Sequence, residues 1–311
     1  MPGKAGKGPA LASSKRQKAR FAFTSALPSS SSSCSPFREL ADSLFSVLFP
    51  TQCSICGGEV VSVTGLGVCR PCWSAVEPWE GICCGRCGLP IVSGELNQSD
   101  PVLCGQCRIA NPDFDLARSF GIYKGNLRAL ILQLKFRRRE RLGRRLGAYL
   151  ARAWERVELF QGAQPLLLVP VPLFRSRERE RGFNQAHLLA EGFAHRLAKN
   201  RGSRNLQVAV NVLARTRQTR PQVGLKLPER RENVRRAFKA IRPERLQGRP
   251  VVLVDDVMTT GATLSACARA LKKGGAGTVM ALALARATPQ FPDTADGQAG
   301  ADVDEFSRDW T

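Results

Sequence analysis

The segment VVLVDDVMTTGAT, Val251 to Thr263, runs from apolar residues into two adjacent carboxylates and then into a short loop of Thr and Gly. Asp255 and Asp256 are acceptor-only groups when ionised, which suits the vicinal hydroxyls of a ribose. Thr259, Thr260, Gly261, Ala262 and Thr263 lead into LSACARALKK, a good helix pattern. Backbone N–H groups and the positive dipole end at a helix start favour a phosphate. Gly261 lets the backbone approach closely, and the threonine hydroxyls add donors. Val251 to Val254 read as a strand of a parallel sheet covered on both faces, and open α/β sheets bind ligands at the carboxyl ends of such strands. A sugar phosphate laid across the segment satisfies every element at once. The bland alternative is an ordinary buried strand with a capped turn, for which two neighbouring acids are awkward. The chain contains no G-x-x-x-x-G-K-[ST] and no G-x-G-x-x-G after a strand, which argues against a P-loop nucleotidase and a dinucleotide fold.

A second constellation is made of cysteine. Four CxxC pairs occur in order: Cys53 and Cys56, Cys69 and Cys72, Cys84 and Cys87, Cys104 and Cys107. Two residues between thiolates let a tight turn present both sulfurs to one tetrahedral metal, and two such turns close a Cys₄ site. Gly57 and Gly88 stand where a knuckle turn wants an unhindered backbone. The spacing therefore predicts two structural zinc ribbons, with neighbouring pairs favoured over an interleaved cross-brace. Cys83 is an alternative ligand to Cys84, and iron–sulfur ligation is an alternative chemistry. Disulfides fit poorly with a chain that lacks a secretion signal. Cys34 and Cys267 are spare, the latter read as a small buried residue.

The elements that position these residues can be read outward from them. Residues 1–36, rich in Lys, Arg and Ser, are expected to be a disordered basic leader. Residues 37–110 are expected to hold an amphipathic helix, Phe37 to Pro50, and the ribbons. Residues 115–287 are expected to form the α/β domain, and 288–311 a disordered tail. Within the domain, apolar residues recur at helical spacing from Leu127 to Leu134 and from Leu142 to Leu150. Pro165 to Leu173 reads as a buried strand ended by prolines, and FNQAHLLAEGFAHRLAK as a helix. Val208 to Ala214 suggests one strand. GTVMALALA closes a βαβ unit with the signature strand. Arg175, Arg177, Arg179 and Arg181 fall on an expected loop, where guanidinium forks would fit pyrophosphate oxygens or pair with nearby Glu on a solvated surface. Asn184 is a cap or a ligand contact. Lys135, on an apolar helix face, either lies near phosphate or snorkels. His187 and His195, the only histidines, read as surface or core residues. Trp73 and Trp79 are expected to pack.

The 311 residues carry a formal charge of +21. Such a surface attracts polyanions, or reflects Arg used on solvated faces. No apolar run is long enough to span a bilayer, so the expected location is the cytoplasm.

The Val251–Thr263 segment resembles the phosphoribosyl pyrophosphate signature of type I phosphoribosyltransferases. That resemblance implies that Asp255 and Asp256 hold the ribose hydroxyls and that Thr259, Thr260, Gly261, Ala262 and Thr263 cradle the 5′-phosphate, with Mg²⁺ accompanying the ligand. Purine-salvage members place an Asp where this chain has Thr259, so purine salvage is disfavoured. Joined to zinc ribbons, the signature is similar to the ComF competence family across residues 45 to 286. Further marks are LKF at Leu134 to Phe136, PVPL at Pro170 to Leu173, RGFNQA at Arg181 to Ala186, RTRQTRPQ at Arg215 to Gln222, REN at Arg231 to Asn233, and AF at Ala237 and Phe238. The resemblance implies a parallel sheet with flanking helices behind a double zinc ribbon. It implies pyrophosphate contacts from Arg181, with Arg175 and Arg177, and a flexible hood from Gly224 to Ala240 carrying Arg231 and Asn233. It links the chain to DNA uptake, with single-stranded DNA and competence helicase-type proteins as partners. A non-catalytic DNA-binding component and a phosphoribosyl pyrophosphate-sensing regulator remain the alternatives to a transferase.

Overall fold

A computed structural model describes residues 51–60, 66–91, 102–136, 140–157, 166–201, 206–218, 229, 232, 234 and 236–288. Cys34, the leader, the expected helix from Phe37, Arg137 to Arg139, Arg231, Asn233 and the tail lie outside the described residues.

The ribbons come first. Strands β1 (Thr51–Gln52) and β2 (Glu59–Val60) pair antiparallel around the first CxxC turn. Helix α1 (Arg70–Ser74) carries Cys72, and α2 (Gly105–Ile109) carries Cys107. In both helices the first cysteine of a CxxC pair is the N-cap, so each pair straddles a helix start.

Behind them stands one parallel sheet of β3 (Leu116–Ile122), β4 (Leu166–Pro170), β5 (Leu206–Val208), β8 (Val251–Met258) and β9 (Val279–Arg286). The spatial order is β3-β9-β8-β4-β5. The inner strands are apolar at nearly every position because helices or loops cover both faces. Their side chains still alternate. Leu166, Leu168, Val252, Val254, Met280 and Leu282 enter one core with α3 (Gly125–Phe136), α4 (Glu140–Trp154) and α6 (Gln185–Arg201). Leu167, Val169, Val251, Leu253, Ala281 and Ala283 enter the other with α7 (Ala262–Lys273). Helices α4 and α6 cross closely. A Cβ on Gly147 would enter the Leu189 carbonyl, and one on Gly192 the Arg144 carbonyl.

The chain runs from β4 through α6 out to the β5 edge, then returns to place β8 on the other side of β4. Strand order therefore reverses between β4 and β8, and crevices for ligands open at the carboxyl ends of such a pair.

Three expected elements differ. The strand beginning at Val251 continues through both acids to Met258, because Asp255 and Val257 keep their register with Ala283 and Ala285 of β9. The expected strand from Val208 to Ala214 is two pieces separated by a turn at Val210 and Asn211. Its second half, β6 (Leu213–Arg215), leaves the sheet and pairs with β7 (Phe238–Ala240), inside what reads as loop. The Arg-rich stretch after β4 is helix α5 (Arg175–Arg181), not a loop. Arg and Glu are good helix formers, and the helix stops at Gly182 with φ +80°.

Candidate functional site

Asp255 and Asp256 sit on the carboxyl half of β8, beside the β4 switch point. Both are partly buried rather than sealed in apolar packing. The backbone N–H of Asp256 donates to Asp255 Oδ1 at 2.9 Å. Burial, with the like charge of Asp256 next, pushes the Asp255 carboxyl up to about 7. Lys135, from the last turn of α3, reaches Asp256 Oδ2 at 3.1 Å. Burial works against the charge on Lys135, but the Asp256 carboxylate more than restores it. A paired carboxylate is thus the partner of the lysine whose position on an apolar face looked unusual.

Arg181, at the end of α5, is half-buried and feels both acids. Burial pulls its pKa down, and Asp256 opposes that most strongly. Arg175 and Arg177 lie on the same helix, earlier by one to two turns. Asn184 is the cap its position suggested. Its Oδ1 accepts from the Ala186 N–H at 3.0 Å while its Nδ2 donates to the Val171 carbonyl at 3.0 Å, tying α6 to the end of β4. Arg231, the remaining nominated contact, is outside the described residues.

After β8 the loop turns sharply. Gly261 is the N-cap of α7 at φ +78°, a region natural to glycine. The Ala262 N–H approaches Thr260 Oγ1 at 3.4 Å, and Ser265 N–H donates to the Gly261 carbonyl at 2.8 Å. Thr259, Thr260 and Thr263 are partly exposed, while Gly261 and Ala262 are buried beneath them. The loop and first turn of α7 therefore follow directly from the strand end that carries the two acids. Cys267 is fully buried one turn further along α7, as a packing residue.

The sulfurs gather into two groups: Cys53, Cys56, Cys69 and Cys72, and Cys84, Cys87, Cys104 and Cys107, each with ligand atoms within 4.8 Å of one another. Neighbouring pairs meet, and Cys84 rather than Cys83 takes part. Cys56 and Cys69 lie 3.6 Å apart, as do Cys87 and Cys104. That is far beyond a disulfide bond of about 2.05 Å. It matches the edge of a Zn–S₄ tetrahedron, roughly 3.8 Å for bonds of about 2.3 Å. The Cys69 N–H points to Cys53 Sγ at 3.3 Å and the Cys104 N–H to Cys84 Sγ at 3.4 Å, stabilising thiolates. Burial opposes ionisation of Cys53, but N–H groups of Cys56, Cys69 and Ile55 outweigh it and hold the thiol down to about 6. The hydrogen bond from Cys87, joined by backbone N–H groups, holds Cys84 down to about 4. An all-sulfur, closely spaced donor set of this kind fits two structural zinc ions.

Arg286 escaped sequence reasoning. It ends β9 and is 3% exposed. Its guanidinium donates to the carbonyls of Met258, at 3.3 Å, and Thr259, and its Nη2 lies 3.9 Å from Cys87 Sγ. One signal pointed to it: a charge closing a continuous apolar strand, as the two acids do on β8. His187 pairs with Glu191 at 3.4 Å on the α6 surface, and His195 is exposed. Trp73 is buried under the Arg145 guanidinium, whose carbon lies 4.0 Å from the ring centroid.

An α/β sheet of phosphoribosyltransferase type behind a Cys-rich double ribbon is the class this fold and site define. Residues 44–108 match the double zinc ribbon domain family, and residues 189–298 the phosphoribosyl transferase domain family. The chain is 34% identical over 221 residues to the DNA utilization protein YhgH of Escherichia coli O157:H7, covering 71% of this chain and 90% of that one. It is 32% identical over 241 residues to competence protein F of Haemophilus influenzae, covering 77% and 98%. Against competence protein ComFC of Bacillus subtilis it is 28% identical over 229 residues, covering 70% and 84%. The chain belongs to the ComF/YhgH competence family. Among the described residues, no helix is long and apolar enough to cross a membrane.

Proposed function

We propose that the protein binds phosphoribosyl pyrophosphate with Mg²⁺ at the β4/β8 switch point and transfers the phosphoribosyl group to an acceptor during handling of imported DNA. The observation that carries this reading is the junction of an acid pair, a Gly-turned threonine loop and a helix start at one strand end. Asp255 and Asp256 receive the ribose diol, and the Thr259–Thr263 loop receives the 5′-phosphate. Lys135 holds the Asp256 carboxylate in place. Arg181, helped by Arg175 and Arg177, faces the pyrophosphate. Arg231 and Asn233 would close over it. Burial, then the charge of Asp256, pushes the Asp255 carboxyl up to about 7, and a cation bound nearby would favour its ionised form. Mg²⁺ bound with the ligand would neutralise charge on the departing pyrophosphate. In the transfer, the bond between anomeric carbon and pyrophosphate oxygen breaks, and the oxygen keeps the electron pair. The acceptor's lone pair forms the new bond. The carboxylates stabilise positive charge developing on the sugar, and the arginines stabilise the leaving group.

Isothermal titration with phosphoribosyl pyrophosphate and Mg²⁺ tests the binding. Asp255→Asn with Asp256→Asn should abolish the heat and leave the melting transition in place. Equal heats in wild type and variant would remove the site. Affinity should weaken as pH falls below about 7, where Asp255 takes up its proton. Stability moves the opposite way. A carboxyl raised in the folded state stabilises fully below its unfolded pKa near 4, and that contribution is lost as pH rises through about 7. Pyrophosphate release across candidate acceptors separates a transferase from a sensor that binds without turnover.

One feature favours the non-catalytic reading. A cleft of about 390 Å³ between the β6–β7 hairpin and α7 is lined by Arg236, Lys239, Arg269, Lys273 and Phe238. A cleft lined by four basic side chains suits the phosphate backbone of a nucleic acid. Salt-dependent DNA affinity that ignores phosphoribosyl pyrophosphate would favour that reading over transfer. Helicase-type competence proteins are the partners we propose for either role.

A further inference from the structure

The second Cys₄ group and the threonine loop belong to different parts of the chain, yet one buried side chain touches both. Arg286 stands between β3 and β8 at the end of β9, in register with Ile122 on one side and Met258 on the other. Its Nη2 faces Cys87 Sγ at 3.9 Å. Its Nη1 donates to the carbonyls of Met258 and Thr259, the two residues that deliver the chain into Thr260 and Gly261. The Met258 carbonyl also accepts from the Ala287 N–H at 3.0 Å, so Arg286 works on a point already pinned to β9. The first Cys₄ group has no such link among the described residues. Its polar ties run to α3, through Ser54 to Gln133 and through Asn126 to the Cys72 carbonyl.

We propose that Arg286 is a positioning residue that couples metal occupancy of the second Cys₄ site to the geometry of the phosphate loop. The proposal rests on the ligand reading given above.

The physical reason is charge. Four thiolates around one Zn²⁺ carry a net charge of about −2. A guanidinium buried to 3% exposure needs such a counter-charge, and N–H···S contacts of this kind orient and strengthen metal-bound thiolates. With the metal in place the guanidinium is anchored on Cys87, and its other face fixes two carbonyls at the mouth of the loop. Without the metal the anchor is lost, and the Met258–Thr259 carbonyls lose a fixed donor. Coupling between two binding events is reciprocal, so ligand on the loop must also tighten metal at the second site.

The test uses full-length, zinc-loaded protein and chelator competition, with phosphoribosyl pyrophosphate and Mg²⁺ as the probe. In wild type, the probe should raise zinc affinity at the second site and leave the first unchanged. Arg286→Met should weaken second-site zinc by roughly ten- to a hundred-fold, the usual loss when a group bonded to a metal ligand is removed. It should also weaken probe binding and abolish the mutual dependence. Arg286→Lys keeps the charge without the fork and should recover zinc affinity more than probe affinity. The wild-type measurement needs no variant to fold. Zinc affinity at the second site that ignores a probe shown to bind would overturn the coupling alone. Failure of wild type to bind the probe would overturn the ligand reading and the coupling together.

Discussion

The two cysteine groups share a ligand set and a local turn, but they are built into the molecule differently. The first joins the core on the α3–α4–α6 face of the sheet, where Cys53 and Cys72 are buried and Cys56 is exposed. The second joins the opposite core and lies against the sheet itself. The Ala117 N–H of β3 donates to the Arg86 carbonyl at 2.7 Å, and Arg118 donates to the Gly85 carbonyl at 3.2 Å. The second unit thus covers an edge strand that would otherwise present unpaired backbone groups. The same motif is tied to helix α3 in one place and to the edge strand β3 in the other.

The largest expected contrast is between paired ligand substitutions. Cys84→Ser with Cys87→Ser should lower the melting temperature more than Cys53→Ser with Cys56→Ser. Only the former strips a buried guanidinium of its anionic partner, a loss of roughly 3–5 kcal/mol when one half of a buried pair is removed. Equal melting shifts would erase the distinction. A smaller contrast lies in the knuckle glycines, both at positive φ. A Cβ at Gly88 would stand 2.7 Å from the Ala117 carbonyl oxygen, whereas one at Gly57 would meet nothing within 4 Å. Gly57→Ala should cost about 1–2 kcal/mol from the left-handed backbone alone. Gly88→Ala should cost about 1–3 kcal/mol more through steric conflict with β3, measured by denaturant titration. The finest contrast is acid release of metal. A thiol held down in the folded protein keeps its thiolate above its folded pKa and loses it as pH falls through that value. Cys56 is exposed while all four cysteines of the second group are buried, so protons and water reach the first site more readily and it should lose zinc at the higher pH. Release in the reverse order would contradict the comparison.

Much of this was legible in residue types and spacing. The CxxC pairs announce their chemistry within a few residues, and Val251 to Thr263 carries strand, acids, loop and helix in one segment. What escaped depended on partners distant in sequence. Asp255 and Asp256 look like the end of a strand, and only the neighbouring β9 carries the ladder on to Met258. The charged run from Arg175 to Arg181 reads as a loop, since helix and loop are equally polar there. The apolar alternation from Val208 to Ala214 spans a turn at Asn211 that no period reveals. Arg286 is a single residue whose contacts, Cys87, Met258 and Thr259, lie elsewhere in the chain. Its local mark is a charge closing a continuous apolar strand, which flags the residue without naming its partners. Lys135 stands between these extremes: its apolar helix face flagged it, while its carboxylate partner came from 121 residues further on.

The central claim is that the end of β8 grips an activated pentose by its diol and its phosphate. A crystal structure of the zinc-loaded protein soaked with phosphoribosyl pyrophosphate and Mg²⁺ tests it most directly. The account predicts density with ribose hydroxyls on Asp255 and Asp256 and the 5′-phosphate over Thr259 to Thr263. Density confined to the basic cleft at Arg236 and Lys273, with the acids bare, would contradict it.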